Sequence, residues 1–132
     1  MSEYTSTREG YQKSMEESLG GRPEDAAVYS EKTAMPSFYH VFNGKKLSLE
    51  EYTKGNAEWR SKISDYKPVV HEFLRSGDQL AARMDGTIKV DGVETYFESF
   101  MFAKVNDNGK LEYLIERSVW GPPGQDPEHG AQ

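Results

Sequence analysis

The sequence predicts an α+β domain in which N-terminal helices pack on a strongly curved, mostly antiparallel sheet that encloses a pocket. Three observations favour this class. Two amphipathic segments come first, residues 69–120 then follow the pattern of four antiparallel strands, and one face of those strands mixes large apolar residues with small ones. Small residues leave space that large ones would fill, as a pocket between helices and sheet requires.

The chain length fits one domain with a substantial core. Its 132 residues include 36% hydrophobic and 29% charged residues, which is typical of an ordinary globular protein. We expect residues 1–7 to be a disordered N-terminus and residues 8–120 to form the single domain. Residues 121–132 are rich in proline and glycine, and we expect them to be a disordered tail.

The composition argues against several classes of partner. A net charge of −6 argues against binding nucleic acid, and no apolar run is long enough to span a membrane. The chain has no cysteine, and its three histidines lack metal-ligand spacing, so we expect neither a metal nor another cofactor. The N-terminus lacks the apolar core of a signal peptide, so the expected location is cytoplasmic.

The first helix is predicted between Arg8 and Leu19, where apolar residues recur at spacings of four, and Gly20-Gly21 would end it. Residues 22–35 are ambiguous, since proline and two acidic residues could open only a short helix. The aromatic and β-branched run at 37–43 predicts a strand, and a turn follows it.

A second helix is better marked, because Ser48 and Glu51 form the sequence signature of a capping box. The residues that line one face of this helix are Tyr52, Asn56, Trp59 and Ile63.

The register of the central hairpin follows from Asp91-Gly92, a strong two-residue turn signal. Pairing Val90 with Val93 places Met84 opposite Ser99 further along the two strands. The side chains of these two residues then lie on the same face as the apolar residues.

The two outer pairings are set by hydrophobic matching. A five-residue loop at 106–110 places Ser99 opposite Arg117 in the last strand. A tight turn at Ser76-Gly77 places His71 opposite Ala82. The resulting inner face is apolar, and its polar members are His71, Thr95, Ser99, Tyr113 and Arg117.

The predicted outer face is too apolar for a purely solvated surface. We interpret it as a homodimer interface formed by Phe100, Phe102, Leu114 and Trp120.

Three segments carry a family resemblance: FYHVFNGKKLSLEEY at 38–52, EFLRSGDQLAARMDGT at 72–87, and FMFAKVNDNGKLEYLIERSVW at 100–120. Over roughly residues 8–120, the chain resembles SnoaL-like proteins of the NTF2-like superfamily, of the type found in fungal secondary metabolism. This resemblance implies an α+β cone around a hydrophobic pocket, often dimerised through the outer sheet face. Members include cyclases, ketosteroid isomerases, dehydratases, epoxide hydrolases and rearrangement catalysts, and others only bind ligands or partners.

The chain departs from the enzymes of this superfamily at one position. SnoaL-type cyclases usually carry a catalytic aspartate near the end of the last strand, and the resemblance places Val119 there. Arg83 and Asp85 are similar to the arginine–aspartate pair of the epoxide hydrolases, but the predicted register turns both outward.

The candidate catalytic residues are His71, Arg117 and Tyr113. His71 would move a proton, or else lie at the surface. Arg117 would stabilise a developing oxyanion, or form a structural ion pair at the rim, and Tyr113 would donate a hydrogen bond or only fill the core. The candidate substrate-binding residues are His40, Tyr52, Trp59, Met84, Ser99 and Met101.

Two hypotheses for the function follow. The first is an enzyme that uses acid–base chemistry without a cofactor to cyclise, isomerise or dehydrate a hydrophobic polycyclic metabolite. The second is a non-catalytic NTF2-like dimer that binds a small ligand or a protein. The absent aspartate favours the second hypothesis, whereas Arg117 on an apolar face favours the first.

Overall fold

A computed structural model of the chain describes residues 3–122. The helices are α1 (Glu3–Ser6), α2 (Arg8–Gly20), α3 (Ala26–Thr33) and α4 (Leu49–Lys62), and a 3-10 turn at Pro23–Asp25 precedes α3. The strands are β1 (Ala34–Phe42), β2 (Lys45–Ser48), β3 (Ile63–Ser76), β4 (Gln79–Val90), β5 (Val93–Val105) and β6 (Leu111–Gly121). Helices packed on one curved sheet confirm the predicted α+β class.

The six strands form one sheet in the order β2-β1-β6-β5-β4-β3. Within residues 3–122, β1 and β6 form the one parallel pair, and all other neighbours are antiparallel. The core lies between α2 and the inner face of the sheet. It is centred on fully buried side chains such as Tyr11, Leu80, Ile88, Phe97 and Met101.

Two local predictions are confirmed in detail. Asp91-Gly92 closes the hairpin with Val90 opposite Val93, and Met84 lies opposite Ser99 as expected. Helix α4 begins with the predicted capping box. The Ser48 hydroxyl accepts a hydrogen bond from the Glu51 backbone N–H at 3.1 Å, and the Glu51 carboxylate accepts one from the Ser48 backbone N–H at 2.9 Å.

Residues 1–7 are expected to be disordered, and the structure describes residues 3–6 of this segment as a short helix. Residues 3–6 form α1, because Thr5 is buried and anchored at both its hydroxyl and its carbonyl. The Thr5 hydroxyl donates to the carbonyl of Gly109 at 3.2 Å, and Arg75 donates to the Thr5 carbonyl at 2.6 Å. Gly10 permits this approach, since a Cβ there would lie 1.8 Å from the carbonyl oxygen of Glu3.

The C-terminal boundary lies close to the expected position, with β6 ending at Gly121 rather than at Trp120. The remainder of the expected tail, residues 123–132, lies outside the described residues.

A bulge in β3 corrects the predicted position of His71. The turn is centred on Gly77-Asp78, one residue later than expected, and Phe73 therefore pairs with Ala82. The register then shifts between Val70 and Glu72, so that His71 is the extra residue. Its side chain lies on the outer face and not on the inner one.

Because of a second bulge, most side chains of β6 lie on the face opposite to the predicted one. Val105 pairs with Leu111 as predicted, but the next pair is Lys104 with Tyr113, because Glu112 is an extra residue. A one-residue shift moves every later side chain to the opposite face. Tyr113 and Arg117 therefore lie outside, and Arg117 pairs with Phe100 instead of Ser99.

The predicted dimer surface is corrected by the same bulge. Leu114 is buried on the inner face, and Trp120 also turns inward. Phe100 and Phe102 remain exposed on the outer face. Together with three further exposed apolar residues, they form the surface that we call the outer patch: Leu74, Phe100, Phe102, Ile115 and Val119.

Candidate functional site

A cavity of about 470 Å³ lies between helices α2 and α4 and the inner face of the sheet. Its wall is mostly apolar and aromatic, with a few polar groups. The residues that line the cavity include His40, Tyr52, Trp59, Tyr66, Phe97, Ser99, Glu116 and Trp120.

All six residues predicted to bind substrate line this cavity. They come from three strands and from α4: His40, Tyr52, Trp59, Met84, Ser99 and Met101. Their shared location follows from the alternation of the strands and from the face that α4 presents to the sheet. Their role in binding stays a prediction.

The three residues predicted to be catalytic lie elsewhere. His71 is on the outer face, where its Nε2 lies 2.6 Å from Oδ1 of Asp85. Tyr113 stacks on Tyr39, with 5.5 Å between ring centroids, and Arg117 lies beside Gly44. None of the three lines the cavity, because the two bulges turn their side chains away from it.

The outward orientation predicted for Arg83 and Asp85 is confirmed. Arg83 bridges Glu72 at 2.9 Å and Glu98 at 3.0 Å. Asp85 accepts a hydrogen bond from the Tyr96 hydroxyl at 2.9 Å, in addition to its contact with His71. These polar contacts satisfy charged groups on the outer face, away from the cavity.

The cavity instead contains a carboxylate that is not among the predicted site residues. Glu116 is turned inward by the bulge in β6, and only 13% of its side chain is exposed. Its Oε1 lies 3.0 Å from Nε2 of His40, and its Oε2 accepts a hydrogen bond from the Ser118 hydroxyl at 3.0 Å. Both carboxylate oxygens therefore have a partner that fixes their position.

Two serines extend this arrangement along the sheet. The hydroxyls of Ser99 and Ser118 lie 2.5 Å apart. Since Ser118 donates to Glu116, Ser99 donates to Ser118, and a chain of hydrogen bonds ends at the carboxylate. Ser99 is 1% exposed and lines the cavity, so this chain is held on rigid, buried backbone.

The protonation of His40 follows from its surroundings. Within the described part of the chain, its buried Nδ1 has no hydrogen-bond partner. A proton on Nδ1 would be a buried donor without an acceptor, which costs about 1–3 kcal/mol, whereas a proton on Nε2 has Glu116 as its acceptor. Of the two ring nitrogens, Nε2 is therefore the one whose proton has an acceptor, which is Glu116.

Four aromatic rings form a stacked row along one wall. Tyr66 stacks on Phe97 with 6.0 Å between centroids, Phe97 on Trp120 at 5.3 Å, and Trp120 on Trp59 at 5.6 Å. Each contact adds to the apolar area that is removed from water. Trp120 is the member supplied by β6, so this row also stabilises the register that turns Glu116 inward.

Two tyrosines at the cavity keep their protons far above neutral pH. Burial raises the pKa of Tyr52 to about 12; a hydrogen bond with Asn56 opposes this rise, and the negative charge of Glu116 adds to it. Burial likewise raises the pKa of Tyr66, which a hydrogen bond with Ser18 partly offsets. Both phenols are therefore hydrogen-bond donors in the cavity at any ordinary pH.

One pattern in the sequence does indicate that Glu116 faces inward. Leu114, Glu116, Ser118 and Trp120 alternate in the last strand, as do the apolar residues on the other face. Only one of these two alternating sets can face inward. Because Glu116 and Trp120 belong to the same set, an inward Trp120 places Glu116 on the inner face as well.

Two further observations concern metal binding and membrane-spanning helices. Among residues 3–122, no group of three or more histidine, aspartate or glutamate side chains is arranged to hold a metal ion. No helix in the same range has the length and apolar character needed to cross a membrane.

Comparison with known proteins supports the fold alone. No protein-family model and no curated protein matches the chain. Among solved structures, PrhC from Penicillium brasilianum is 13% identical, with a TM-score of 0.67 over 86% of this chain and 83% of that one. An epoxide hydrolase of the LEH-like type from M. tuberculosis is 8% identical, with a TM-score of 0.63 over 82% and 81%.

A designed protein with the NTF2 fold, NT-9, is 16% identical, with a TM-score of 0.58 over 92% of each chain. The architecture is therefore NTF2-like, as the resemblance implied. At these identities the comparisons leave the reaction open.

Proposed function

We propose that this NTF2-like protein is an enzyme that performs acid–base chemistry without a cofactor on a hydrophobic small molecule in its cavity. The observation that carries this proposal is Glu116, a nearly buried carboxylate that is held by His40 and Ser118 in a mostly apolar and aromatic cavity. Glu116 replaces His71 as the residue that moves the proton. It also supplies an acidic side chain, which is absent at Val119, where the family resemblance places the catalytic aspartate.

The geometry suits proton transfer at a carbon atom of the substrate. A positioned carboxylate in a site that excludes water can take a proton and return it elsewhere on the same molecule. The Nε2–H of His40 stabilises the carboxylate before transfer and orients it throughout. Tyr52 is a protonated phenol in the same cavity, and its hydroxyl can donate to an oxygen on which negative charge develops.

This chemistry covers isomerisation, rearrangement, cyclisation and dehydration, each of which needs a proton removed and a proton supplied. The cavity volume of about 470 Å³ and its aromatic wall fit a polycyclic metabolite, of the kind made in secondary metabolism. The likeness in fold to an epoxide hydrolase is consistent with an enzyme. The alternative is a non-catalytic dimer that binds a small ligand or a protein partner, and the designed protein NT-9 is similar to this chain in fold.

The cavity can be tested by filling it at Gly55. This residue lies on α4 and lines the cavity, and a Cβ built on it meets nothing within 4 Å. Gly55→Phe is therefore expected to occupy the cavity with little strain and to abolish retention of a small apolar molecule. The measurement is native mass spectrometry of the protein after exposure to an extract of its own organism.

Gly55→Ala is the matched control, because it adds a methyl group at the same position and should retain the ligand. Arg117→Leu on the outer face should retain the ligand as well. If the parent protein and Gly55→Phe carry the same ligand, the molecule binds elsewhere and the proposal is wrong.

We also propose that the protein forms a homodimer through the outer patch. Phe102 is 63% exposed and Leu74 is 72% exposed, and both belong to one apolar surface of the sheet. Contiguous exposed apolar residues of this kind usually mark an interface. In the proposed dimer interface, Ile115 and Val119 take the place of Leu114 and Trp120, the residues predicted from the sequence.

Phe102→Glu is expected to weaken this dimer by at least about 30-fold, because it places a charge at the centre of the patch. The measurement is sedimentation equilibrium over a range of protein concentrations. Val28→Glu on α3, at a site that is 59% exposed, is the control and should leave the association unchanged. A parent protein that sediments as a monomer would remove the dimer proposal.

A further inference from the structure

We propose that the ligand of the cavity carries a positive charge, in the form of an ammonium group attached to an apolar body. This inference rests on the cavity and on the Glu116 carboxylate of the proposed function, and it adds the chemical class of the ligand. It follows from the balance of charge around the cavity and from the kind of surface that faces it.

The charged side chains that line the cavity are both acidic. They are Glu116 on β6 and Glu51 at the start of α4. Neither lysine nor arginine occurs among the described residues of the lining. His40 contacts Glu116 through Nε2, and its buried Nδ1 has no hydrogen-bond partner among the described residues.

The nearby basic residues are engaged elsewhere. Arg60 donates three hydrogen bonds to backbone carbonyls of α2 and of the turn that follows it. Lys62 lies over the ring of Trp59 at 5.8 Å and is not part of the lining. Arg117 points to the outer face. The Glu116 carboxylate is thus largely removed from water, and no lysine or arginine of the described residues lines the cavity beside it.

The remaining wall suits a cation as well. Trp59, Trp120, Phe97, Tyr66 and Tyr52 surround the cavity with aromatic rings. The face of an aromatic ring attracts a cation, and alkylated ammonium groups are bound in this way because they lose less hydration than a simple ion. Glu116 already bears the desolvation cost in the folded protein, so an entering ammonium group gains the ion pair.

The two roles of Glu116 are compatible. A carboxylate can accept several hydrogen bonds, so it can face an ammonium group and still approach a neighbouring C–H. The positive charge makes a C–H next to it more acidic, which is the bond that the proposed chemistry would break.

Two probes of the same shape test the inference directly. Benzyltrimethylammonium and neopentylbenzene differ only in whether the central atom of the branched group is a charged nitrogen or a neutral carbon. Binding can be followed by intrinsic fluorescence, because the only two tryptophans of the chain, Trp59 and Trp120, both line the cavity.

The cation is expected to bind at least about tenfold more tightly than its neutral counterpart. Glu116→Gln should remove this preference and leave neopentylbenzene binding unchanged. Glu112→Gln is the control, since Glu112 is the bulge residue and pairs with Lys104. It should keep the preference.

Equal affinity of the parent protein for the two probes would overturn the inference. That result would leave the proposed function in place, because a neutral molecule would still occupy the cavity. Binding of neither probe would also overturn it. If native mass spectrometry also recovered no ligand from the parent protein, the two results together would count against the cavity itself as the site.

Discussion

Replacing Glu116 with glutamine is expected to lower kcat by about 10²- to 10⁴-fold, the usual contribution of a positioned acid–base group. Glutamine has the same shape and still accepts a hydrogen bond from His40 at its amide oxygen. It cannot take a proton from the substrate. The fold and the binding of neutral ligands should therefore persist, while turnover is lost.

The measurement is single-turnover kinetics with the molecule that native mass spectrometry recovers from the parent protein. His40→Gln tests positioning, since it can keep one hydrogen bond to Glu116 but holds it less rigidly; we expect a smaller loss of kcat. Glu112→Gln should behave as the parent protein does. Full turnover by Glu116→Gln would show that another group moves the proton, and retained binding with no turnover by the parent would favour the non-catalytic alternative.

Local signals determined the parts of the fold that could be predicted. The β4–β5 hairpin is fixed by Asp91-Gly92, whose turn type leaves one register for the flanking strands. The start of α4 is fixed by Ser48 and Glu51, which need only each other and the adjacent backbone. From these two elements alone, the cavity residues on β4, β5 and α4 follow.

The face of β6 could not be predicted, because it depends on contacts that are distant in the sequence. The choice between Val119 and Trp120 as the inward residue is settled by Trp59 on α4 and by Phe97 on β5, which stack with Trp120. Hydrophobic matching within the hairpin favours the other register and so selected Arg117. Because Glu112 is an extra residue in β6, Val105 pairs with Leu111 while Trp120 still faces inward.

The orientation of His40 also depends on contacts that are distant in the sequence. It is set by the parallel pairing of β1 with β6, in which His40 lies opposite Leu114. More than seventy residues separate these two strands, so no local pattern reports their register. The pair formed by His40 and Glu116 therefore becomes visible only when β1 and β6 are placed side by side.

Replacing Arg60 with methionine is expected to lower the free energy of unfolding by about 3–5 kcal/mol. Arg60 is 7% exposed, and its guanidinium donates to the carbonyls of Glu17 at 2.7 Å, Ser18 at 3.2 Å and Arg22 at 2.8 Å. The first two belong to the last turn of α2, where carbonyls have no partner within the helix. Methionine fills similar volume but leaves all three acceptors without this donor.

Urea unfolding, followed by tryptophan fluorescence at a fixed protein concentration, measures this change. Arg22→Met is the control, because the Arg22 side chain is 71% exposed and pairs only with Asp25 and Glu24 among the described residues; it should leave the midpoint nearly unchanged. Arg60→Lys should fall between the two, since a lysine keeps the charge but cannot reach three carbonyls at once.

The effect of Arg60→Met should extend to the cavity. Arg60 joins the last turn of α4 to the end of α2, and these two helices cover the sheet where the cavity lies. Ligand affinity should therefore fall along with stability, although Arg60 does not line the cavity. Loss of stability with unchanged affinity would show that α4 is held over the cavity by its aromatic contacts with β6, chiefly Trp59 on Trp120, and not by this guanidinium.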